Sequence, residues 1–265
     1  MSIIIPFTLI AAIGALLGFG LAIADKKLSI KKDEKLELIE ASMPNANCGG
    51  CGFAGCSAYA EAVYTHKAPI GLCSPGGSAL AKKMAEIMGE EAVEMEKKTA
   101  HVFCSAVPEK KGKDFQYQGI EDCNGASLLF KGENSCKEGC IGLGSCIKVC
   151  PEGAIKRRED GSLFVQRELC IGCGKCERIC PNHVIRLVPS SQLFFTDCNS
   201  HAKGAEVRKY CESGCIGCGI CEKKFPSSGF KVDSFLASFN PEAPDISQAG
   251  DAMAACPRKA IKKVE

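Results

Sequence analysis

The chain has 265 residues, of which twenty are cysteine and none is tryptophan, and only 6% are aromatic. That length allows two or three small domains, but the side chains that usually fill their cores are scarce; disulfides, zinc or iron–sulfur groups must hold them instead. A formal net charge of +2, with no basic stripe interleaved with aromatics, excludes a nucleic-acid partner.

Residues Ser2 to Ala24 carry no charge. As a helix, the apolar run Ile3–Ala24 would be about 33 Å long, enough to cross a bilayer core. Pro6 falls in the first turn, where its missing N–H costs little. Gly14, Gly18 and Ala22 form a small-residue stripe that would let another membrane helix approach, although such residues are common in spanning helices anyway. Ala22-Ile23-Ala24 resembles a signal-peptidase site, the rival reading. No Lys or Arg precedes the apolar run, however, whereas Lys26, Lys27, Lys31 and Lys32 follow it. By the positive-inside rule, residues 1–25 are then a single-pass anchor in the cell (inner) membrane, with the bulk of the chain in the cytoplasm. A reducing cytoplasm in turn disfavours disulfides.

Residues 26–44 read as a tether, with a short charged helix over Asp33–Ala41 lifting the next module off the membrane. A helical module follows over 45–100. Cys48, Cys51 and Cys56 are interleaved with four glycines, which let the backbone wrap a compact group and aim N–H groups at its sulfurs. A helix over Ser57–His66 then carries the chain to Cys73 as fourth ligand. Zinc also takes four thiolates but usually from two C-x2-C knuckles, so a [4Fe–4S] group is the expectation. Ser78–Met88 and Glu90–Ala100 read as amphipathic helices separated by Gly89. A connecting segment, 101–130, holds Cys104 and Cys123 singly on either side of a lysine-rich stretch, Glu109–Asp114, expected to be mobile.

The most specific pattern lies in 131–190. Cys170-x2-Cys173-x2-Cys176-x3-Cys180-Pro181 is the bacterial ferredoxin ligand run, in which the fourth cysteine serves the other of two clusters. Cys136-x3-Cys140-x5-Cys146-x3-Cys150-Pro151 is a looser copy, with Leu143 where a middle cysteine would stand. The crossing rule assigns Cys136, Cys140, Cys146 and Cys180 to one cluster, and Cys150, Cys170, Cys173 and Cys176 to the other. Ala154–Lys156, Leu163–Val165 and Val184–Val188 read as short strands, and Ile141 and Ile171 as screens against water.

A third copy occupies 191–265. Cys215, Cys218 and Cys221 keep the spacing, but Phe225 stands where the crossing cysteine belongs, and of the second half only Cys256-Pro257 survives. These losses agree with each other: one cluster is gone, and Cys215, Cys218, Cys221 and Cys256 serve the other. A loop over Phe230–Ala249, with Pro226, Pro241 and Pro244 nearby, is expected to fill the vacated half.

Sixteen cysteines are then assigned, leaving Cys104, Cys123, Cys198 and Cys211. Four is the number a cubane needs, so these form a candidate fifth site; alternatively they are plain buried thiols, with Cys211 substituting for Cys215 in its own loop. His66, His101, His183 and His201 show no ligand spacing and read as surface or packing residues. No nucleotide loop, flavin motif or Ser/His/Asp constellation offers organic-substrate chemistry.

The order of parts resembles the RnfB family of the Rnf ion-translocating ferredoxin:NAD oxidoreductase complexes, in its long multi-cluster form. The resemblance rests on the N-terminal apolar helix, Cys48-x2-Cys51-x4-Cys56 with Cys73-Ser-Pro-Gly-Gly, Asp122-Cys123-Asn124-Gly125-Ala126, Cys136 to Pro151, and Cys198 through Cys221. The chain departs from that form at Phe225 and before Cys256. The resemblance implies an α+β chain: a transmembrane helix, a small helical iron–sulfur module, a two-cluster ferredoxin-like domain and a degenerate second one. It implies an electron-entry component that takes electrons from soluble ferredoxin and passes them through [4Fe–4S] clusters to other membrane and peripheral subunits. The complex couples that flow to Na⁺ or H⁺ translocation, with the NAD site on another subunit. The same ligands would also suit a membrane-tethered polyferredoxin serving a hydrogenase or dehydrogenase, or a non-redox zinc scaffold.

Overall fold

The computed structural model describes residues 4–28, 33–91, 94–241 and 245–264. The start of the apolar run, Lys31, Lys32, part of the second expected amphipathic helix and Pro244 lie outside them. The apolar run forms α1 (Ile4–Leu28), in which Leu9, Ile10, Leu16, Leu17, Phe19 and Leu21 are exposed. Among the described residues no helix is long and apolar enough to cross a membrane.

Next comes α2 (Glu34–Ser42), capped by Asp33, whose carboxylate accepts from the Lys35 N–H at 2.9 Å. It is more than a tether. Leu36, Ile39 and Met43 share one face, and Ile39 is fully buried against α3 (Cys56–Tyr64) and α4 (Gly77–Met88), among Tyr59, Val63, Leu80 and Met84. The expected helix over Glu90–Ala100 does not form as such. Its end is β1 (Lys98–Val102), with Thr99 and Ala100 buried. The β-branched Thr99 and Val102 suit a pleated surface, and the strand partner lies far along the chain, so tertiary pairing overrides the helical reading.

The central core contains α5 (Cys123–Ser127), α6 (Ser145–Lys148), β2 (Ile155–Arg157), β3 (Leu163–Val165), α7 (Lys175–Ile179) and β4 (Ile185–Pro189). All three expected strands appear, two of them displaced by one residue. β2 pairs antiparallel with β3, and β4 pairs antiparallel with β1, from Lys98 opposite Pro189 to Val102 opposite Ile185. The core thus recruits a strand from what the sequence placed in the preceding module. The lysine-rich segment expected to be mobile is instead tied down: Lys111 bridges Cys211, the Gly112 N–H donates to Tyr210 O at 2.8 Å, and Lys111 Nζ reaches Cys140 O at 3.0 Å.

The C-terminal copy comprises β5 (Phe194–Thr196), α8 (Gly204–Tyr210), α9 (Ile220–Lys223), β6 (Phe230–Asp233), β7 (Leu236–Phe239), α10 (Ile246–Ala254) and β8 (Ile261–Lys263). β5 pairs with β8, and β6 with β7. The two-residue turn of that hairpin, Ser234-Phe235, has positive φ at both positions, the backbone of a type I′ turn. Phe225 packs with Phe230, Phe194, Ala249 and Ala252, from the hairpin, β5 and α10. The described residues of the segment expected as a loop instead form β6, β7 and the start of α10, which pack an apolar cluster around Phe225. Phe225→Cys is expected to add no iron and to cost about 1–3 kcal/mol of packing; iron content and thermal melting check both.

Candidate functional site

All twenty cysteines are free. They are gathered around five cavities of similar size, 320–380 Å³ of non-atom space. Cys48, Cys51, Cys56 and Cys73 line one, and Cys150, Cys170, Cys173 and Cys176 another. Cys215, Cys218, Cys221 and Cys256 line a third. These three sets are the ones the spacing predicts.

The remaining eight cysteines divide differently from the sequence expectation. Cys123, not Cys136, joins Cys140, Cys146 and Cys180. Cys136 lies instead with Cys104, Cys198 and Cys211. Cys140 faces both cavities; counting it with Cys123, Cys146 and Cys180 leaves four thiols at each. The cause of the exchange is local. Asp122 caps α5, accepting from the Gly125 N–H at 2.8 Å and from the Ser145 hydroxyl at 2.8 Å, while the Cys123 N–H donates to Ser145 Oγ at 2.7 Å. This locks Cys123 onto the start of α6, next to Cys146. Cys136, for its part, follows Ser135, whose N–H donates to Gly112 O at 2.8 Å on the strand-like segment beside Cys211.

Each loop is built to return its cysteines. In the N-terminal module the Cys56 N–H donates to Asn47 Oδ1 at 2.8 Å, starting α3 beside Cys48. Tyr59, buried in α3, donates to Pro69 O at 3.0 Å and accepts from the Leu72 N–H at 3.1 Å, which folds the chain back so that Cys73 closes the cavity. The buried thiols are ordinarily hard to ionise: burial pushes Cys146, Cys176 and Cys198 up to about 12 and raises Cys140. Thiolates in such walls require cationic compensation, which iron supplies on ligation. Backbone N–H groups already point at four sulfurs: Gly50 at Cys48 (3.4 Å), Ala100 at Cys170 (3.3 Å), Cys140 at Cys104 (3.5 Å) and Ala154 at Cys150 (3.3 Å).

Among the described residues no group of three or more Cys, His, Asp or Glu could hold a single metal ion. A [4Fe–4S] group takes one thiolate per iron, so its ligands stand around a cavity rather than converge on one point. The donor set and the cavities fit that group.

Sequence reasoning missed the parts that join sites. The Arg178 guanidinium donates to Cys48 O at 3.2 Å and to Cys173 O at 3.4 Å, linking the N-terminal module to the core. Gly50 allows this approach, since a Cβ there would sit 2.9 Å from Cys173 O; at Gly172 a Cβ would meet Lys98 O at 2.5 Å and Ser74 Oγ at 2.6 Å. A lone arginine on a short helix carries no sequence signal. The Ala100 N–H was hidden by the helical reading of its segment, although Thr99 and Val102 favour a strand. The histidines act as expected in packing: His101 stacks on Phe195 at 3.8 Å and bonds Asp197 at 2.7 Å, while His66 is exposed beside Glu90.

The sequence matches the Fe-S cluster family over residues 43–75 and the 4Fe-4S binding domain family over 137–156 and 163–186. It is 40% identical over 264 residues to the B component of the proton-translocating ferredoxin:NAD(+) oxidoreductase complex of Clostridium ljungdahlii, across 99% of this chain and 93% of that one. The B component of the ion-translocating oxidoreductase complex of Methanosarcina acetivorans is 38% identical over 253 residues, 96% of this chain and 95% of its own length. The B component of the Na(+)-translocating ferredoxin:NAD(+) oxidoreductase complex of Acetobacterium woodii is 36% identical over 210 residues, 79% of this chain and 63% of that one.

Arg178 is exposed at its helix surface, so its two hydrogen bonds contribute about 1 kcal/mol together. Arg178→Ala is expected to leave iron content unchanged, to weaken spin–spin broadening between the groups on either side of it, and to speed proteolysis between residues 74 and 97. Electron paramagnetic resonance of the reduced protein and limited proteolysis check this.

Proposed function

The chain belongs to the RnfB family of ion-translocating ferredoxin:NAD oxidoreductase complexes, and we propose that it carries electrons for such a complex through [4Fe–4S] groups held in its cysteine-lined cavities. One observation carries this reading: the cysteines surround cavities of one size, four thiols to each, with N–H groups aimed at sulfurs. When bound, a [4Fe–4S] group takes up and releases one electron at a potential that burial and N–H···S bonds tune within about −700 to +450 mV. The protein's part is to hold the thiolates, exclude water with Ile141, Ile171, Ile216, Val184 and Leu187, and keep neighbouring sites in contact. Four sulfurs on one Zn²⁺ would each lie about 2.3 Å from it, an arrangement that fits these cavities poorly. A brown purified protein agrees with this reading; a colourless one loaded with zinc overturns it.

The same reading extends to where the chain sits. α1, with its row of exposed apolar side chains, anchors the chain in the cell membrane as a single pass, the cysteine-rich part lying on the cytoplasmic side. Reduced soluble ferredoxin is the electron donor. The set nearest the anchor in sequence, Cys48, Cys51, Cys56 and Cys73, is the exit toward the membrane subunits, and the NAD site lies on a different polypeptide. The whole complex couples this flow to Na⁺ or H⁺ translocation.

Cys51→Ala is expected to abolish electron delivery to the membrane subunits in the assembled complex while the remaining sites are still reduced by ferredoxin. Ferredoxin-dependent NAD reduction and the spectrum of the reduced complex measure the two parts. Full activity in this variant would remove the exit assignment.

A further inference from the structure

We propose that Cys104, Cys136, Cys198 and Cys211 hold a further [4Fe–4S] group, and that this site is the electron connection between the ferredoxin core and the C-terminal copy. The proposal rests on the electron-carrying function above and adds to it a site and an order. None of the four cysteines lies in a segment matched by the two iron–sulfur families, which cover 43–75, 137–156 and 163–186.

The four come from separate segments, and each segment is held in place. Cys104 lies between Phe103, whose N–H donates to Val184 O at 2.7 Å, and Ser105, whose N–H donates to Asp197 O at 3.1 Å. Cys198 follows Asp197, which is fixed by the Ala260 carbonyl at 2.7 Å and by His101 at 2.7 Å. Cys211 ends α8, its N–H donating to Val207 O at 2.9 Å and its carbonyl accepting from Arg258. The Ser135–Gly112–Tyr210 ladder brings Cys136 beside it. Ordinary core cysteines pack against whatever apolar surface lies nearby. Here four thiols from four segments line one cavity, beside the shared Cys140, and a backbone N–H is aimed at Cys104 Sγ. The cavity matches in size the four lined by the other sets.

The same geometry sets the sites in a row. The Cys48 set meets the Cys170 set through Arg178 and Gly50. The Cys170 and Cys123 sets are the two halves of the ferredoxin core, where Cys146 and Cys176 are buried in one apolar cluster. The Cys123 set meets the proposed site through Cys140, which lines both cavities and whose N–H donates to Cys104 Sγ at 3.5 Å. The proposed site adjoins the last set along two stretches of chain: Asp197 and Gly214 line the one cavity, and their neighbours Thr196 and Cys215 line the other. One electron crosses each junction at a time; the giving site is oxidised by one electron and the neighbour reduced by one, with no bond or proton moved. An electron from the C-terminal copy reaches the core by way of Cys198, Cys104 and Cys140.

Paired substitutions separate this grouping from the one the spacing suggests. In the purified full-length chain, Cys136→Ser with Cys211→Ser is expected to lose about four irons from about twenty, because both belong to one group of four irons. Cys123→Ser with Cys211→Ser is expected to lose about eight, since each strikes a different group of four. The reverse pattern overturns the ligand set. A wild-type content near sixteen irons, with the other four sets loaded, overturns the additional site alone, whereas a chain without iron–sulfur absorption overturns the function on which it rests. In the fully reduced Cys136/Cys211 double variant, the Cys215 set should give a narrow, isolated paramagnetic signal while the Cys48 and Cys170 sets remain mutually broadened. Persistent broadening of the Cys215 set overturns the row, and retention of the Cys48–Cys170 coupling shows that the variant has folded.

Discussion

A thiol buried in an apolar wall is hard to ionise, and four of them around one cavity are harder still. That constraint governs the whole molecule. Every one of the five cavities collects its cysteines from more than one stretch of chain, so closing the cavity and folding the chain are the same event. Cys73 returns across α3, Cys180 and Cys150 exchange between the core halves, Cys256 returns after α10, and Cys104, Cys136, Cys198 and Cys211 converge from four segments. With no tryptophan and few aromatics, the apolar clusters are modest and grouped around the same cysteines, as in the packing of Ile155, Val184 and Ile185 beside Cys146 and Cys176. Folding energy in such a design comes largely from ligand binding, as in other small metal-dependent domains.

The parts of this arrangement that follow a short-range rule were readable from the sequence. Cysteines crowded onto one short loop, as at Cys48–Cys56, Cys170–Cys176 and Cys215–Cys221, can reach only one group, and these loops identified three of the five sets. The expected strand Leu163–Val165 and the helix end near Met88 also followed from local pattern and from Gly89, which supplies the left-handed cap. Long-range choices were not readable. Where Leu143 leaves a gap in the ligand run, Cys136 is nearer in sequence, but an Asp122–Ser145 hydrogen-bond lock delivers Cys123. β1 is recruited by β4 from far along the chain, and its residues alternate too briefly to outweigh the charged stretch before them. Arg178 acts through two backbone carbonyls, which leave no trace in side-chain pattern.

In the C-terminal copy four cysteines line one cavity, and an apolar cluster stands beside it. Phe225 replaces a thiol by an apolar ring of larger volume, and the β6–β7 hairpin with α10 supplies the apolar surface that ring requires. The remaining cavity keeps its four cysteines because the crossing ligand it depends on, Cys256, comes from the half that lost everything else.

The crossing of ligands between segments also sets a timetable. Each set is complete only when its last cysteine has been made, and those cysteines are Cys73, Cys176, Cys180, Cys211 and Cys256. That order is the same as the spatial order of the cavities, from the N-terminal module outward to the C-terminal copy. During synthesis the cavities can therefore be completed from the N-terminal module toward the C-terminal copy, each new one closing against one already complete. The early thiols that wait longest are Cys104 and Cys136, whose cavity closes only with Cys198 and Cys211.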